Sequence, residues 1–261
     1  QKTAYEISLG LVGSEMCIRD SSLTDRALEG MKVLDLTHHL SGPYCTKLLA
    51  DFGADVLKVE KPAGDHTRRA GPFLEDDIDP EKSLVFAYLN TNKQSITLNL
   101  KSDKGISMLT SLIEESDVLV ENFAPRVMPS LGLDFETLQQ INPRLILTSI
   151  SNFGQTGPYR DYKAADIIEY AMGGLMYISG AYDREPLKHA FNQAQFKAGT
   201  DGASATLMAM YHQRLTGEGQ HVDVSIQEAV ATGLRDVVNN FTYTGAVRRR
   251  QPNHSGDLSC L

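Results

Sequence analysis

The residues best equipped for chemistry in this chain stand where short apolar runs end. Val33-Leu34-Asp35-Leu36 leads into Thr37-His38-His39-Leu40-Ser41-Gly42-Pro43, and Val56-Leu57-Lys58-Val59 leads into Glu60-Lys61-Pro62. Imidazoles at the first end can orient a polar substrate or carry a proton near neutral pH, and a lysine at the second can meet a phosphate or a carboxylate. Between the runs, Leu48, Leu49 and Phe52 recur at helical spacing and Gly53 closes the segment. Strand, Gly-containing turn, helix, Gly and strand make a βαβ unit, and ligands of such sheets bind beyond the carboxyl ends of the strands. The site is therefore expected around residues 38–41 and 60–62.

Other chemistries lack their patterns. No Ser/His/Asp arrangement, phosphate-binding Walker loop or metal-ligand spacing is legible, and Gly217-Glu218-Gly219 lacks the third glycine of a dinucleotide fingerprint and follows a helix. Cys17, Cys45 and Cys260 are too few and too scattered for a disulfide framework, which suits a reducing, cytoplasmic setting. Cys45, on the first helix, reads as a buried structural thiol. A net charge of −8 argues against a nucleic-acid partner, and Arg248-Arg249-Arg250 reads as a solvated turn. No apolar run approaches the roughly 18 residues that a membrane span needs. Residues 1–24 fail as a signal peptide and resemble translated adapter read-through, so the fold is argued from residue 25 onward, with the native chain expected to begin near Leu28.

The elements that must position the site follow from periodicity. Residues 63–92, rich in Gly, Pro and Asp, read as a surface excursion, and residues 94–100 alternate as a half-buried strand. Residues 102–116 read as a helix with Ile106, Leu109, Leu112 and Ile113 on one face, and 118–120 as a buried strand ending at Glu121-Asn122-Phe123. Asp134 is suited to cap a helix over 135–141, which Pro143 ends before a strand at 145–150. Successive β-then-α units predict an α/β fold with a doubly wound, mostly parallel, Rossmann-like sheet. Helices are expected over 165–178 and 196–214, then a strand at 221–226 and a helix from Gln227.

Four blocks, in order, also carry a family resemblance: LDLTHHLSGPYCTKLLADFGADVLKVEKPAGDHTR (34–68), NTNKQSITLNLKS (90–102), DVLVENFAPRVMPSLGL (117–133) and RLTGEGQHVDVSIQEAV (214–230). They resemble the class III coenzyme A-transferases of the CaiB/BaiF type, the group containing formyl-CoA:oxalate and carnitine CoA-transferases, over roughly residues 28–245. The resemblance implies transfer of coenzyme A between an acyl-CoA thioester and a carboxylic acid, with no permanently bound cofactor. It implies a large domain over 25–245, a linker beginning at 246–261, and a smaller second domain beyond the end of this sequence. An interlocked homodimer is implied as well. Carried over position by position, the coenzyme-binding candidates are Leu40, Ser41, Lys61, Leu98, Lys101, Asn122 and Phe123. Arg126, a neighbouring cation, falls off the family's register.

The family's nucleophile is an aspartate a fixed distance before the Thr-Gly-x-Gly-Gln turn. Counting back from Thr216-Gly217-Glu218-Gly219-Gln220 gives Gln195, an amide that cannot form a mixed anhydride but can hydrogen-bond a carbonyl or carboxylate. Asp201 is the nearest acid, about a turn and a half further along the helix, and reads as a surface carboxylate. The racemase branch of the family uses a His and an Asp, whose positions here hold Ala165 and Gln195, so racemisation is disfavoured. Loss of the carboxylate also leaves open a binding member without turnover. His38 and His39 are expected to orient substrate or structure.

Overall fold

The computed structural model describes residues 26–250; expectations for 1–24 and 251–261 fall outside them. Six strands, β1 (Lys32–Asp35), β2 (Asp55–Glu60), β3 (Lys93–Thr97), β4 (Val118–Glu121), β5 (Ile146–Ser151) and β6 (His221–Ser225), form one sheet in the order β3-β2-β1-β4-β5-β6. Every adjacent pair is parallel. Strand order reverses between β1 and β4, and at such a switch point a crevice opens beyond the strand ends.

The central strands β1, β2, β4 and β5 are covered on both faces, and β1 and β4 read as apolar runs for that reason, whereas the edge strands β3 and β6 are more exposed and alternate. Val33, Val118, Val120, Ile146 and Ile150 point into one layer, where α1 (Ser41–Asp51), α6 (Asp166–Met172), α8 (Gln193–Thr216) and α9 (Ile226–Ala231) pack. Leu34, Leu36, Leu119, Leu145 and Leu147 point into the other, against α3 (Asp103–Glu114) and α5 (Phe135–Ile141). The remaining helices are α2 (Leu84–Leu89), α4 (Val127–Ser130), α7 (Leu175–Ile178) and α10 (Arg235–Thr244). Asp134 caps α5 as expected, accepting from Thr137 N. Cys45 is buried, and burial pushes its thiol up to about 12, consistent with an inert role.

Four expectations need correction. The 165–178 helix is two helices, because Gly174 takes φ +86° between α6 and α7 and any side chain on Gly173 would strike Val230. The 196–214 helix starts three residues earlier, placing Gln195 in the first turn of α8. The strand expected over 94–100 ends at Thr97, and Leu98 only continues its course by donating to Glu60 O at 2.9 Å. Residues 63–92 are not wholly superficial: Asp65, Thr67, Ser83 and Leu89 are buried, and Ser83 caps α2. Fixed polar contacts, described below, draw that segment inward.

One close approach governs the site. A Cβ on Gly199 would lie 2.6 Å from Ser41 O, and one on Gly202 2.9 Å from Ile150 Cδ1. The small residues of α8 thus seat it directly on the N-terminus of α1 and on β5, bringing Gln195 beside the strand ends.

Candidate functional site

The floor of the site is a buried ionic lattice. Asp35, the last residue of β1, accepts from Thr37 N (2.8 Å), Thr37 Oγ1 (2.5 Å), Thr46 Oγ1 (2.6 Å) and Lys93 Nζ (3.0 Å). Burial alone would raise its carboxyl, but Lys93, Lys58 and the two hydroxyls hold it well below the usual carboxylate range. Lys58, equally buried, donates to Thr37 O at 2.8 Å and lies 3.1 Å from Asp65. Glu60 is gripped by Arg68 through two bonds (2.8 and 2.7 Å), by Ser95 Oγ (2.6 Å) and by Asp65 N (2.8 Å). These contacts fix the turn after β1 and pull residues 63–83 onto the strand ends.

On that floor lie two adjoining cavities. The larger, about 600 Å³, is lined by Leu40, Ser41, Asn122, Phe123 and Gln195 among others. The smaller, about 440 Å³, is lined by Lys61, Leu98, Lys101 and Phe123, with His38 and Leu131. Phe123 is common to both. All eight candidate residues from the sequence therefore line one cavity or the other, although they come from five separate segments. Phe123 and Gln195 are half-buried, Ser41 and Leu98 buried, and Lys101 exposed.

Their contacts differ in kind. Asn122 clamps the backbone of His38, accepting from its N at 2.8 Å and donating to its O at 2.7 Å, so the amide holds the β1 and β4 ends together. Lys61 Nζ donates to His66 Nε2 at 2.8 Å, and its charge holds His66 below the usual imidazole range. His38 packs edge-on to Phe123 and stays below its usual range through burial, against the pull of Asp65. His39 takes φ +65° and lines the larger cavity. Arg126 also lines that cavity, whereas Asp201 pairs with Lys197 at 3.4 Å and is absent from its walls.

Sequence reasoning missed the surroundings of Gln195. Its Nε2 donates to Glu169 Oε2 at 2.8 Å. Glu169, fully buried on α6, also receives the amide of Asn152, which in its hydrogen-bonded orientation donates to Oε1 at 3.0 Å and accepts from Ala164 N at 3.1 Å. Burial pushes Glu169 up to about 7, with the Gln195 bond opposing and Asp166 adding to the rise. Arg160 and Lys163 line the larger cavity, and the buried Arg160 Nε and Ser151 Oγ have no hydrogen-bond partner among the described residues. Glu169 had a legible signal: a carboxylate interrupting the apolar stripe of residues 165–178. Chemically, the larger cavity joins cationic groups, an amide and a helix start, suited to a polarised carbonyl or a carboxylate. The smaller joins apolar walls to two lysines, suited to an aromatic ring and phosphates. Among the described residues no His/Cys/Asp/Glu cluster could hold a metal, and no helix is long and apolar enough to cross a membrane.

Comparison with known proteins gives the same direction. The model of CoA-transferase family III matches residues 28–260. A formyl-CoA:oxalate CoA-transferase of Streptomyces avermitilis is 45% identical over 205 residues, covering 78% of this chain and 49% of that protein. A succinate–glutarate CoA-transferase of Agrobacterium fabrum is 37% identical over 235 residues, covering 89% and 59%. The crystal structure of a CAIB/BAIF family protein from Brucella suis superimposes with a TM-score of 0.82 at 37% identity, covering 87% of this chain and 60% of that one. The chain thus spans about half to three fifths of the length of these relatives. With its sheet order, its strand-end cavities and this extent of match, the chain belongs to CoA-transferase family III.

Proposed function

We propose that the protein binds a coenzyme A thioester along the two adjoining cavities and serves transfer of the coenzyme between an acyl-CoA and a carboxylic acid. The observation that carries this reading is the convergence of Leu40, Ser41, Lys61, Leu98, Lys101, Asn122, Phe123 and Gln195 on cavities that share Phe123. In this reading Lys61 and Lys101 meet phosphates, Leu98 and Phe123 give apolar walls, and the pantetheine arm passes Phe123 toward Gln195. Gln195 polarises the thioester carbonyl or orients the accepting carboxylate by hydrogen bonding and is not acylated. The large domain takes in residues 25–245. The exposed apolar residues Met208, Tyr211 and Leu215 on α8 support a homodimer, and the cysteine pattern a cytoplasmic setting.

The amide at position 195 favours one second reading, a member that holds the thioester without turnover. Mass-spectrometric measurement of acyl exchange between succinyl-CoA or acetyl-CoA and a panel of free carboxylic acids separates the two. Exchange with no adduct on residue 195 supports hydrogen-bond catalysis. Binding with no exchange supports the second reading, and a trapped adduct at Asp201 contradicts the assignment of Gln195.

A further inference from the structure

Gln195 and Glu169 form a pair that neither residue explains alone. Gln195 lines the larger cavity and Glu169 does not; Glu169 is fully buried, with both carboxylate oxygens taken by amides: Oε2 by Gln195 at 2.8 Å and Oε1 by Asn152 at 3.0 Å. The carbonyl Oε1 of Gln195 has no hydrogen-bond partner in the protein among the described residues, and the side chain lines the larger cavity. A primary amide has a donor end and an acceptor end, and rotation about its last bond exchanges them. Which end faces the cavity is therefore decided by what Glu169 requires of the other end.

We propose that Glu169 is a positioning residue that sets which end of the Gln195 amide meets the ligand: ionised, it holds Nε2 and leaves the acceptor Oε1 for the cavity; protonated, it donates to Oε1 and turns both N–H donors outward. The first state suits a hydroxyl or a protonated acid, and the second suits a thioester carbonyl or a carboxylate. The inference rests on the coenzyme-binding reading for the identity of the ligand, but not for the turn of the amide.

The surroundings permit such a change near neutrality. Burial has already raised Glu169 to about 7. Its charged neighbour is Asp166, one turn earlier on α6, which is itself paired with Lys188 at 2.7 Å and accepts from Ala194 N at 3.0 Å. From α8 the facing group is Gln195, and from the segment after β5 it is Asn152. α9 packs on α6 with Val230 and with Gln227, whose amide donates to Met172 O. Tyr170, next along α6, bonds His189 at 2.8 Å. Asn152 stays in place in both states, since its own carbonyl is held by Ala164 N.

The test uses the full chain with ¹⁵N-labelled glutamine. The Gln195 side-chain amide resonances, assigned by their loss in Gln195→Asn, are followed across the neutral range. They should titrate in the wild type with a midpoint near 7 and stay flat in Glu169→Gln, where the partner cannot ionise. Calorimetry with acetyl-CoA should show an affinity that changes roughly tenfold across that range in the wild type, about one hydrogen bond's worth, and hardly at all in Glu169→Gln. Flat wild-type resonances overturn the proposal without recourse to any variant, and so does an unchanged titration in Glu169→Gln. Titrating resonances with no acetyl-CoA heat at any pH would uphold the amide turn while removing the coenzyme reading.

Discussion

Replacing Asp35 by Asn probes the lattice under the site with little change of shape. Lys93, whose side chain is 1% exposed, places its ammonium 3.0 Å from Asp35 Oδ2. Opposite charges at about 4 Å attract by roughly 4 kcal/mol at an effective dielectric constant of 20. Burial has already brought Lys93 down to about 8, with Asp35 opposing the fall. Without that carboxylate the ammonium titrates below neutrality and must shed its proton to fold. From an ordinary value of about 10.4, full deprotonation at pH 7 costs about 4.6 kcal/mol at 1.36 kcal/mol per unit, of which the wild type already bears about 3.3 kcal/mol by its fall to about 8, so the lost proton itself adds about 1.3 kcal/mol. With the contacts of Asp35 to Lys93, Thr37 and Thr46 also weakened, the expected loss is about 3–5 kcal/mol, the range found when one partner of a buried pair is removed. The sign of the pH dependence follows. Lys93 is depressed in the folded state, so the unfolded chain binds more protons and stability rises with pH up to the unfolded value. Urea denaturation of both proteins near pH 7 and near pH 9 should show Asp35→Asn recovering part of its deficit at the higher pH. A loss below about 1 kcal/mol, or a deficit that grows with pH, would refute the reasoning.

Gly199→Ala should destabilise by about 1–3 kcal/mol in a denaturant melt, because its Cβ would lie 2.6 Å from the backbone oxygen of Ser41. Glu60, with its carboxyl lowered to about 2 by Arg68, Ser95 and the Asp65 amide against its burial, contributes stability above its unfolded value that is lost as pH falls from about 4.5 to 2; Glu60→Gln should flatten that limb of an acid-denaturation profile. Gln195→Glu sets a second carboxylate where Gln195 Nε2 now lies, 2.8 Å from Glu169. Repulsion of roughly 4 kcal/mol, about three pK units, should leave the pair sharing one proton through neutrality. An infrared carboxyl titration in which both groups ionise by about pH 6 would contradict it.

The fold was legible because its central strands are buried on both faces and its edge strand β3 alternates. Val33-Leu34 and Val118-Leu119-Val120 leave no polar alternation to confuse the reading, and Asp134 marked its helix start to the residue. The errors came where backbone geometry outweighed side-chain pattern: the positive φ of Gly174 divides a helix that apolar spacing runs together. The site was legible in part, through residues standing at strand ends. What stayed hidden were long-range polar contacts. Asp35 and Lys93 are 58 positions apart and Glu169 and Gln195 26 apart, separations at which no local pattern registers a partner. Asn122 shows the converse: its place was legible, its bidentate hold on the His38 backbone was not.

The most direct measurement is calorimetric titration of the full chain with acetyl-CoA, alongside Lys61→Ala, Lys101→Ala and, as a surface control, Lys104→Ala. Coenzyme binding along the two cavities predicts saturable heat in the wild type. Affinity should weaken roughly tenfold in Lys61→Ala and in Lys101→Ala, each having lost one charge-assisted contact to phosphate, and stay unchanged in Lys104→Ala. No heat at millimolar acetyl-CoA, or equal affinity in all four proteins, would contradict it.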